Sequence, residues 1–448
     1  MNLADQFIPF HAQYTKYFEL KTRSVVQQSY QYLCGLMQAN KKNIDRMVES
    51  VPETNSQSLQ NFISHSPWDA FALMDQTSKD VNDLFGDDPD SCLIIDESAF
   101  TKKGSKSAGV SRQWSGRLGK VDNCQVGVFA ALNCREKVSL INTRLFLPTS
   151  WTDSEVRCKK AGVPKERMKH KKKTELALEM IESARSNGLS HKWIGADAFY
   201  GEDPSFLRAI DNAGETFLVD VHCDQPIFLE DPKPYIPKRT STKGRKPVRL
   251  KTDIQHTTVA QWAANQSDDA WQEIVLRDGS KGPLKVRAIH GRVWLWDRKE
   301  KHAHCWHLIV RHENGSKNKL KYSISNAHEK TSIERLAFMQ GQRYFVERAI
   351  EDAKSSAGMA DYQVRPWTGW HHHMAMVMLA MLFMLKTKIY YSDSYELLSC
   401  NDIRELLAHF LPQRAITKKQ VIEQMKIRHK KRKYAMQHHK KPKINKSD

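Results

Sequence analysis

The sequence lacks any pair of cysteines at the spacing of a redox motif or a zinc site. Its eight cysteines are scattered over 448 residues without a single C-x-x-C pair, and the first residues carry no basic stretch followed by an apolar one. Disulfide-rich secreted proteins and secretory leaders leave those signs. We therefore expect a chain that works in a reducing compartment, the cytoplasm.

Long hydrophobic runs are also missing. The longest extends from Met374 to Leu385 and has 12 residues, whereas a helix needs about 20 apolar residues to cross a bilayer. We therefore expect no membrane partner.

Acidic residues are too few to balance the basic ones. The chain has 70 Lys and Arg against 51 Asp and Glu, a formal net charge of +19. Residues 414–448 contain thirteen Lys or Arg and two Asp or Glu, so eleven of these nineteen charges lie in the last 35 residues. A basic tail on a mildly basic body favours a polyanionic partner such as nucleic acid.

The pattern of apolar residues predicts five segments. Residues 1–90 have helical periodicity and predict an N-terminal helical domain. Short strands and helices fill 91–221, alternating strand patterns fill 222–328, helical patterns return in 329–412, and 413–448 form the basic tail. We read 222–328 as a β-rich insertion.

The order of elements in segment 91–221 indicates the fold class. Three strands are predicted at 92–95, 125–132 and 138–147, followed by helix 174–186, strand 193–196, helix 204–212 and strand 216–221. This βββαβαβ order is that of an α/β protein with a ribonuclease-H-like mixed sheet. With the insertion, that sheet is interrupted before the last predicted helices.

Two aspartates stand where predicted strands end. Asp96 follows an apolar run that ends at Ile95, and Asp197 follows another that ends at Ala196. A carboxylate beside a buried strand is costly unless it is paired or bound to a cation. Neighbouring strands would bring the two together as oxygen ligands suited to Mg²⁺. The alternative is that each aspartate merely caps the following turn.

A third acid is predicted on a helix. Spacings of 4 and 11 residues place Glu347 and Lys354 on the same helical face as Arg343. A glutamate between two cations suits a metal ligand flanked by phosphate-binding side chains, although salt bridges on a solvated face give the same pattern. Glu351, on the same face, is the second choice.

Other candidates carry weaker signals. Lys102 and Lys103, on the turn after the first acidic strand, are candidate DNA contacts or simply a solvated turn. Trp294 and Trp296 could stack on a base but more often indicate a core. The histidines between 302 and 312 have a single cysteine, Cys305, among them and no cysteine pair at zinc-finger spacing, so they do not predict zinc.

Several motifs, in order, resemble the DDE transposases of the insertion-sequence 701 family. They are IDESAFTKKGSKSAGV at 95–110, DAFYG at 197–201 and RYFVERAIEDAK at 343–354, with further similar stretches at 113–116, 123–129, 147–153, 322–327 and 362–370. The related insertion-sequence-four group has the signature Tyr-x2-Arg-x3-Glu-x6-Lys. It fits here at Arg343, Glu347 and Lys354, whereas Gln340 takes the place of the tyrosine.

The resemblance implies a function and a site. It implies a ribonuclease-H-like catalytic domain with a β insertion, in which Asp96, Asp197 and Glu347 hold two Mg²⁺ ions, for which Mn²⁺ can substitute. It further implies that Arg343 and Lys354 bind DNA phosphate, and that the enzyme cuts double-stranded DNA at terminal inverted repeats and joins the 3′-hydroxyl ends to target DNA. A homodimer is expected to hold the two ends.

Two alternatives remain open at the level of sequence. One is a catalytically silent DNA-binding regulator descended from a transposase, which would be expected to have lost one of the acids. The other is a structure-specific nuclease that hydrolyses DNA without joining it.

Overall fold

The computed structural model describes residues 3–238, 246–278, 282–312 and 319–440. Within these ranges the chain is a mixed α/β protein in which a large mixed sheet is combined with N-terminal and C-terminal helices. This arrangement is compatible with the predicted ribonuclease-H-like class.

The α-helices vary from single turns to 24 residues. They are α1 (Leu3–Ala12), α2 (Val26–Gln38), α3 (Ile44–Ser50), α4 (Ser56–Ser64), α5 (Ala70–Phe85), α6 (Thr149–Thr152), α7 (Glu155–Lys160), α8 (Lys173–Ser186), α9 (Ala198–Gly201), α10 (Pro204–Asn212), α11 (Val259–Ala264), α12 (Ile333–Gln342), α13 (Tyr344–Ser355), α14 (Trp367–Tyr390), α15 (Cys400–Phe410) and α16 (Lys418–Lys440).

The strands form one ten-stranded sheet and a separate two-stranded ribbon. They are β1 (Ser91–Thr101), β2 (Ser111–Ser115), β3 (Lys120–Cys134), β4 (Lys137–Leu145), β5 (Trp193–Ala196), β6 (Phe217–Val221), β7 (Pro226–Ile227), β8 (Thr257–Thr258), β9 (Gln272–Arg277), β10 (Leu284–Leu295), β11 (His304–His312) and β12 (Leu320–Ser325).

The large sheet has the order β2-β3-β1-β5-β6-β12-β11-β10-β9, with β4 pairing on β3, and the ribbon joins β7 to β8. The neighbours β1, β5 and β6 are parallel, and the other pairs are antiparallel. All residues of β5 and β6 are buried, as expected for central parallel strands covered on both faces.

The strands predicted in segment 222–328 are present, and their position is informative. Strands β9 to β12 do not form a separate layer; β12 pairs with β6, so that they continue the main sheet. The hairpin strand β2 had no clear signal in the sequence. Part of the Pro/Lys-rich stretch at 232–247 lies outside the described residues.

Helix α14 is the central helix of the core. Its length and apolar composition would suffice to cross a membrane, but 78% of its most apolar window is buried inside the protein. It packs on β4 and on the N-terminal helices. For example, Phe383 lies edge-on to Phe7, and the Nδ1 atom of His373 shares a 2.8 Å hydrogen bond with the Tyr32 hydroxyl. The N-terminal helices therefore share a core with the C-terminal ones.

The basic tail contains helix α16, which contacts α3. Arg428 is paired with Glu49, and the Lys431 ammonium lies 2.9 Å from an Asp45 carboxylate oxygen. Both pairs are partly or largely exposed, so each contributes little to stability. The last residues of the predicted basic tail, 441–448, lie outside the described residues.

Candidate active site at the edge of the sheet

Asp96 and Asp197 lie at the same level of neighbouring parallel strands. Strand β1 continues to Thr101, so Asp96 lies within it and not at its end as predicted, whereas Asp197 directly follows β5. Ile95 of β1 is paired with Ala196 of β5, so the aspartates that follow occupy adjacent positions on one face of the sheet. The Asp197 side chain also caps α9 by accepting a 3.1 Å hydrogen bond from the Phe199 amide. The capping role considered from the sequence is therefore present, together with the convergence of the two acids.

Ionisation of the Asp96 and Asp197 carboxyl groups is unfavourable at this position. Burial, followed by the charge of Asp197, raises the pKa of Asp96 to about 7. Burial also raises the pKa of Asp197. Two acids that resist ionisation side by side are a natural place for a cation.

A third aspartate, which the sequence reasoning missed, continues this row. Ala196 pairs with Val219 of β6, so Asp220 lies level with Asp197 on the next strand. Asp220 is buried and accepts a 2.6 Å hydrogen bond from the Ser323 hydroxyl. Its signal was available: it is the only charged residue in the otherwise apolar stretch of β6.

Arg343 lies between these acids, at the junction of helices α12 and α13. Its Nε atom is 2.7 Å from Asp220 Oδ2, and a terminal nitrogen is 3.1 Å from Glu347 Oε1. Although burial opposes its charge, the carboxylates of Asp220, Asp96, Glu347 and Asp197 raise the pKa of Arg343. The guanidinium thus neutralises the acids of the site.

Gln340 is part of the support of Arg343. It is fully buried, and its amide donates a 2.7 Å hydrogen bond to the Ser323 hydroxyl, which in turn donates to Asp220. Gln340, which takes the place of the tyrosine in the insertion-sequence-four signature, therefore contributes a polar side chain to a buried hydrogen-bond network that ends at Arg343.

Glu347 reaches the site from α13. Its side chain is 54% exposed and is paired with Arg343, and its charge contributes to the raised pKa of Asp96. Glu351, the second choice, is paired with Arg348 at 3.6 Å. The geometry therefore favours Glu347 as the third acid.

The carboxylates of the site are suitable ligands for a divalent cation, but the three proposed acids do not come close enough together to bind one ion. Within the described ranges, no group of three or more His, Cys, Asp or Glu side chains stands close enough to hold a metal ion. Glu347 is instead turned to Arg343. The buried Tyr200 hydroxyl has no hydrogen-bond partner in the described structure, and the charges of Glu97, Asp197 and Asp96 lie near it. Such an unsatisfied donor suits a hydrated ion.

The predicted DNA-binding lysines occupy different environments. Lys102 is half-buried: its ammonium lies 3.5 Å from the centre of the Tyr362 ring, and burial lowers its pKa to about 8. Lys103 is exposed on the same turn. Lys354 is half-buried, with its ammonium 5.7 Å from the centre of the Phe100 ring. Of the three, Lys103 is the most accessible to DNA.

The weaker candidates have structural surroundings. Trp294 and Trp296 are half-buried, and the backbone of Trp294 bridges to Phe228. His304 lies 3.6 Å from Glu300 and 3.9 Å from Asp211, but through its two different ring nitrogens, and these side chains do not form a metal-binding group among the described residues. These residues support the sheet extension.

The comparisons with known proteins bear on the family of the chain. Residues 17–283 match the family described as the DDE superfamily endonuclease. A probable transposase for insertion sequence element IS701 from Microchaete diplosiphon is 23% identical over 370 residues, covering 80% of this chain and 82% of that protein. The NurA nuclease from Sulfolobus solfataricus aligns over 73% of this chain and 94% of that one, with 8% identity and a TM-score of 0.22, which is too low to bear on the fold.

The family match spans more than half of the chain and includes the segments that carry Asp96 and Asp197. It confirms the resemblance found in the sequence, and endonucleases of this superfamily use divalent metals. The chain belongs to the DDE endonuclease superfamily and is a relative of the transposases of insertion sequence 701.

Proposed function

We propose that the protein is the transposase of a bacterial insertion sequence, which cuts the element's ends by metal-dependent hydrolysis and joins the 3′-hydroxyl ends to target DNA. The observation that carries the proposal is the register of β1 and β5, which sets Asp96 beside Asp197 at one edge of the sheet. Glu347 is drawn toward the same edge by Arg343.

Asp96, Asp197 and Glu347 would hold two Mg²⁺ ions, or Mn²⁺ in their place. The ions would activate the attacking oxygen and stabilise the leaving 3′ oxygen. The chain's own contribution is to hold these acids in place and to present cations to the phosphate. For Glu347 to bind metal, its carboxylate must release Arg343, whose guanidinium then faces the incoming phosphate while Asp220 still anchors it.

Arg343 and Lys354 are the residues proposed to contact phosphate beside the acids, and Lys103 to contact it farther out. Basic residues of α16 would add salt-sensitive contacts to the DNA backbone. The N-terminal helices are the candidate readers of the terminal inverted repeats. Since two ends must be brought together, we expect a homodimer in the DNA complex, acting at the nucleoid in the cytoplasm.

Both alternatives make different predictions. A silent regulator would need no complete set of acids, yet Asp96, Asp197 and Glu347 are all present. A simple nuclease would stop after hydrolysis. The distinction between nuclease and transposase is therefore made by the joining step.

The test is an assay of the purified full chain with Mg²⁺ on DNA that carries the element's own ends. We expect 3′-end cleavage and joining by the parent, and loss of both by Asp96→Asn, Asp197→Asn and Glu347→Gln. Glu351→Gln is the matched control, because it removes an acid from the same helix without touching Arg343. Cleavage that survives all three substitutions, or cleavage without joining, would overturn the proposal.

A further inference from the structure

A groove lies near the acids, where Lys173 meets the Glu97 side chain of β1 and Phe199 follows Asp197. It is an open groove with a volume of about 570 Å³ between the start of α8 and the start of α10, within the size range of small-ligand sites. Its walls combine two aromatic rings with basic side chains. They are Phe146, His170, Lys172, Lys173, Thr174, Phe199, Glu202, Asp203 and Pro204.

Two contacts tie this groove to the acids. The Lys173 ammonium lies 2.6 Å from a carboxylate oxygen of Glu97, the residue after Asp96. Phe199 lies two residues after Asp197, and its amide donates to the Asp197 carboxylate. Glu97 faces away from Asp96 because successive strand residues point to opposite sides. Because β1 continues to Thr101 and β5 ends at Ala196, a DNA strand at the acids would reach the groove by passing over the end of β5.

The rings and cations are arranged for a planar, anionic ligand. Phe199 leaves 45% of its surface exposed although it is a large apolar side chain. The Lys173 ammonium lies 5.0 Å from the centre of the Phe199 ring and 5.6 Å from that of Phe146. An aromatic face next to lysines is how proteins hold unpaired nucleotides, by stacking on the base and attracting its phosphate.

The loop before α8 forms a basic rim of the groove, and its basic residues are of two kinds. Arg167 and Lys171 are both paired with Glu179 and so fasten the loop to α8. Lys169 and Lys172 are exposed. On the opposite rim, Asp203 is already engaged, because it accepts hydrogen bonds from the Thr174 hydroxyl and the Ser205 amide. On the same rim, the exposed carboxylate of Glu202 lies 3.4 Å from the Nε2 atom of His222. The positive charges of the groove are therefore concentrated on the loop before α8.

We propose that this groove is a subsite for one nucleotide of the DNA strand next to the scissile phosphate. Its base, unstacked from the duplex, lies on Phe199, and Lys172 contacts its phosphate. This inference rests on the proposed function, since it assumes that DNA occupies the neighbouring acids. It adds a binding role for Phe199 and for the loop before α8.

The test uses the full chain and end DNA in which each position flanking the cut is replaced in turn by an abasic site. We expect Phe199→Ala to slow cleavage of intact DNA about tenfold and to cause no further loss when the abasic site removes the base that stacks on it. Phe199→Tyr should restore cleavage. Tyr395→Ala, which removes another half-exposed aromatic ring, should leave cleavage unchanged.

A second measurement needs binding only. The probe 2-aminopurine is placed at the position that the abasic series identifies or, if the protein does not cleave, at each flanking position in turn. Binding of the parent should change the fluorescence of the probe, and binding of Phe199→Ala should not. An equal loss for Phe199→Ala on intact and abasic DNA, or equal fluorescence changes for parent and variant at every position, would overturn the subsite. A parent that shows the fluorescence change but neither cuts nor joins DNA would overturn the proposed function while leaving the subsite in place.

Discussion

At the scale of single residues, the site depends on how buried charges are balanced. Arg343 is the centre of that balance, since it lies against Asp220 and Glu347 and its pKa is raised by four carboxylates. The sequence predicted Arg343 and Glu347 as partners from their helical spacing. It did not predict Asp220, because the contact between β6 and the junction of α12 and α13 depends on the fold and not on spacing along the chain.

Asp220→Asn should destabilise the protein strongly. The substitution leaves the cations of Arg343 and Lys321 without the carboxylate that both contact, and breaking such a buried pair costs about 3 to 5 kcal/mol. The free energy of unfolding, measured with urea, checks this. Asp268→Asn is the control, because it breaks an exposed pair with Arg287 and should cost less than about 1 kcal/mol. Equal, small effects of the two substitutions would contradict this account of Asp220.

Asp96→Asn should stabilise the metal-free protein at alkaline pH. The pKa of Asp96 is raised to about 7, whereas an unfolded aspartate has a pKa of about 3.9. Between these values the folded state holds a proton that the unfolded state has lost, so the stability of the parent falls as pH rises. The variant escapes this penalty, which we expect to be roughly 1 to 3 kcal/mol at pH 8.

The measurement is the difference in unfolding free energy between Asp96→Asn and the parent, without metal, at pH 4 and pH 8. The difference should be near zero at pH 4 and fully present at pH 8. Added Mg²⁺ should stabilise the parent more than the variant at pH 8. A difference that is the same at both pH values would mean that burial does not control ionisation at Asp96.

At the scale of elements, the short helix α9 positions the second acid. Asp197 caps it, and Gly201 at its end packs against β6. A Cβ atom at Gly201 would overlap the carbonyl oxygen of Asp220. The close approach of α9 to β6 therefore requires glycine at this position.

Gly201→Ala should move α9 away from β6 and disturb both Asp197 and Asp220. We expect a loss of about 1 to 3 kcal/mol in the free energy of unfolding, as overpacking in a well-packed core usually costs, together with loss of DNA cleavage. Gly104→Ala is the control, since a Cβ atom there has open space. Thermal unfolding of both variants provides the comparison, and a stable, active Gly201→Ala variant would be inconsistent with this packing.

The sequence predicted most helices and strands near the site but not the junctions between them. Strand β5 and helix α10 have the predicted bounds, because a short apolar run and a Pro-led helix after Asp203 are strong local signals. The helical pattern that returns in 329–412 did not reveal that its first part is two helices, α12 and α13, which meet at Arg343. Gly341 stands two residues before that junction, but a single glycine inside a helical pattern is often tolerated. The ion pair of Arg343 with Asp220 is a tertiary contact that local patterns do not contain.

At the scale of the whole molecule, the N-terminal helical segment and the β-rich segment 222–328 are packed together with the central catalytic segment. Strands β9 to β12 extend the catalytic sheet, and the N-terminal helices pack around α14. The sequence predicted the strands and helices of these segments but treated them as separate units, because composition shifts mark changes in secondary structure and not the ends of a common core. Deleting either segment should therefore unfold more than the segment itself.

The basic tail is the exception to this shared core. Replacing Lys430, Lys431, Arg432 and Lys433 with glutamine should leave the fold intact, because this part of α16 is exposed. If these side chains contact four phosphates, the slope of log K against log salt for nonspecific DNA should decrease by about 3 to 4. Fluorescence anisotropy at several salt concentrations measures this slope. The same slope for parent and variant would show that the tail does not bind DNA.

The central claim is that Asp96, Asp197 and Glu347 come together around bound metal. Iron-mediated cleavage of the polypeptide tests it most directly, since Fe²⁺ bound in place of Mg²⁺ generates radicals that cut the nearby backbone in the presence of ascorbate and peroxide. With DNA bound, we expect cuts near all three acids, suppressed by excess Mg²⁺ and absent in Asp96→Asn. Cuts near Asp96 and Asp197 with none near Glu347 would contradict the claim.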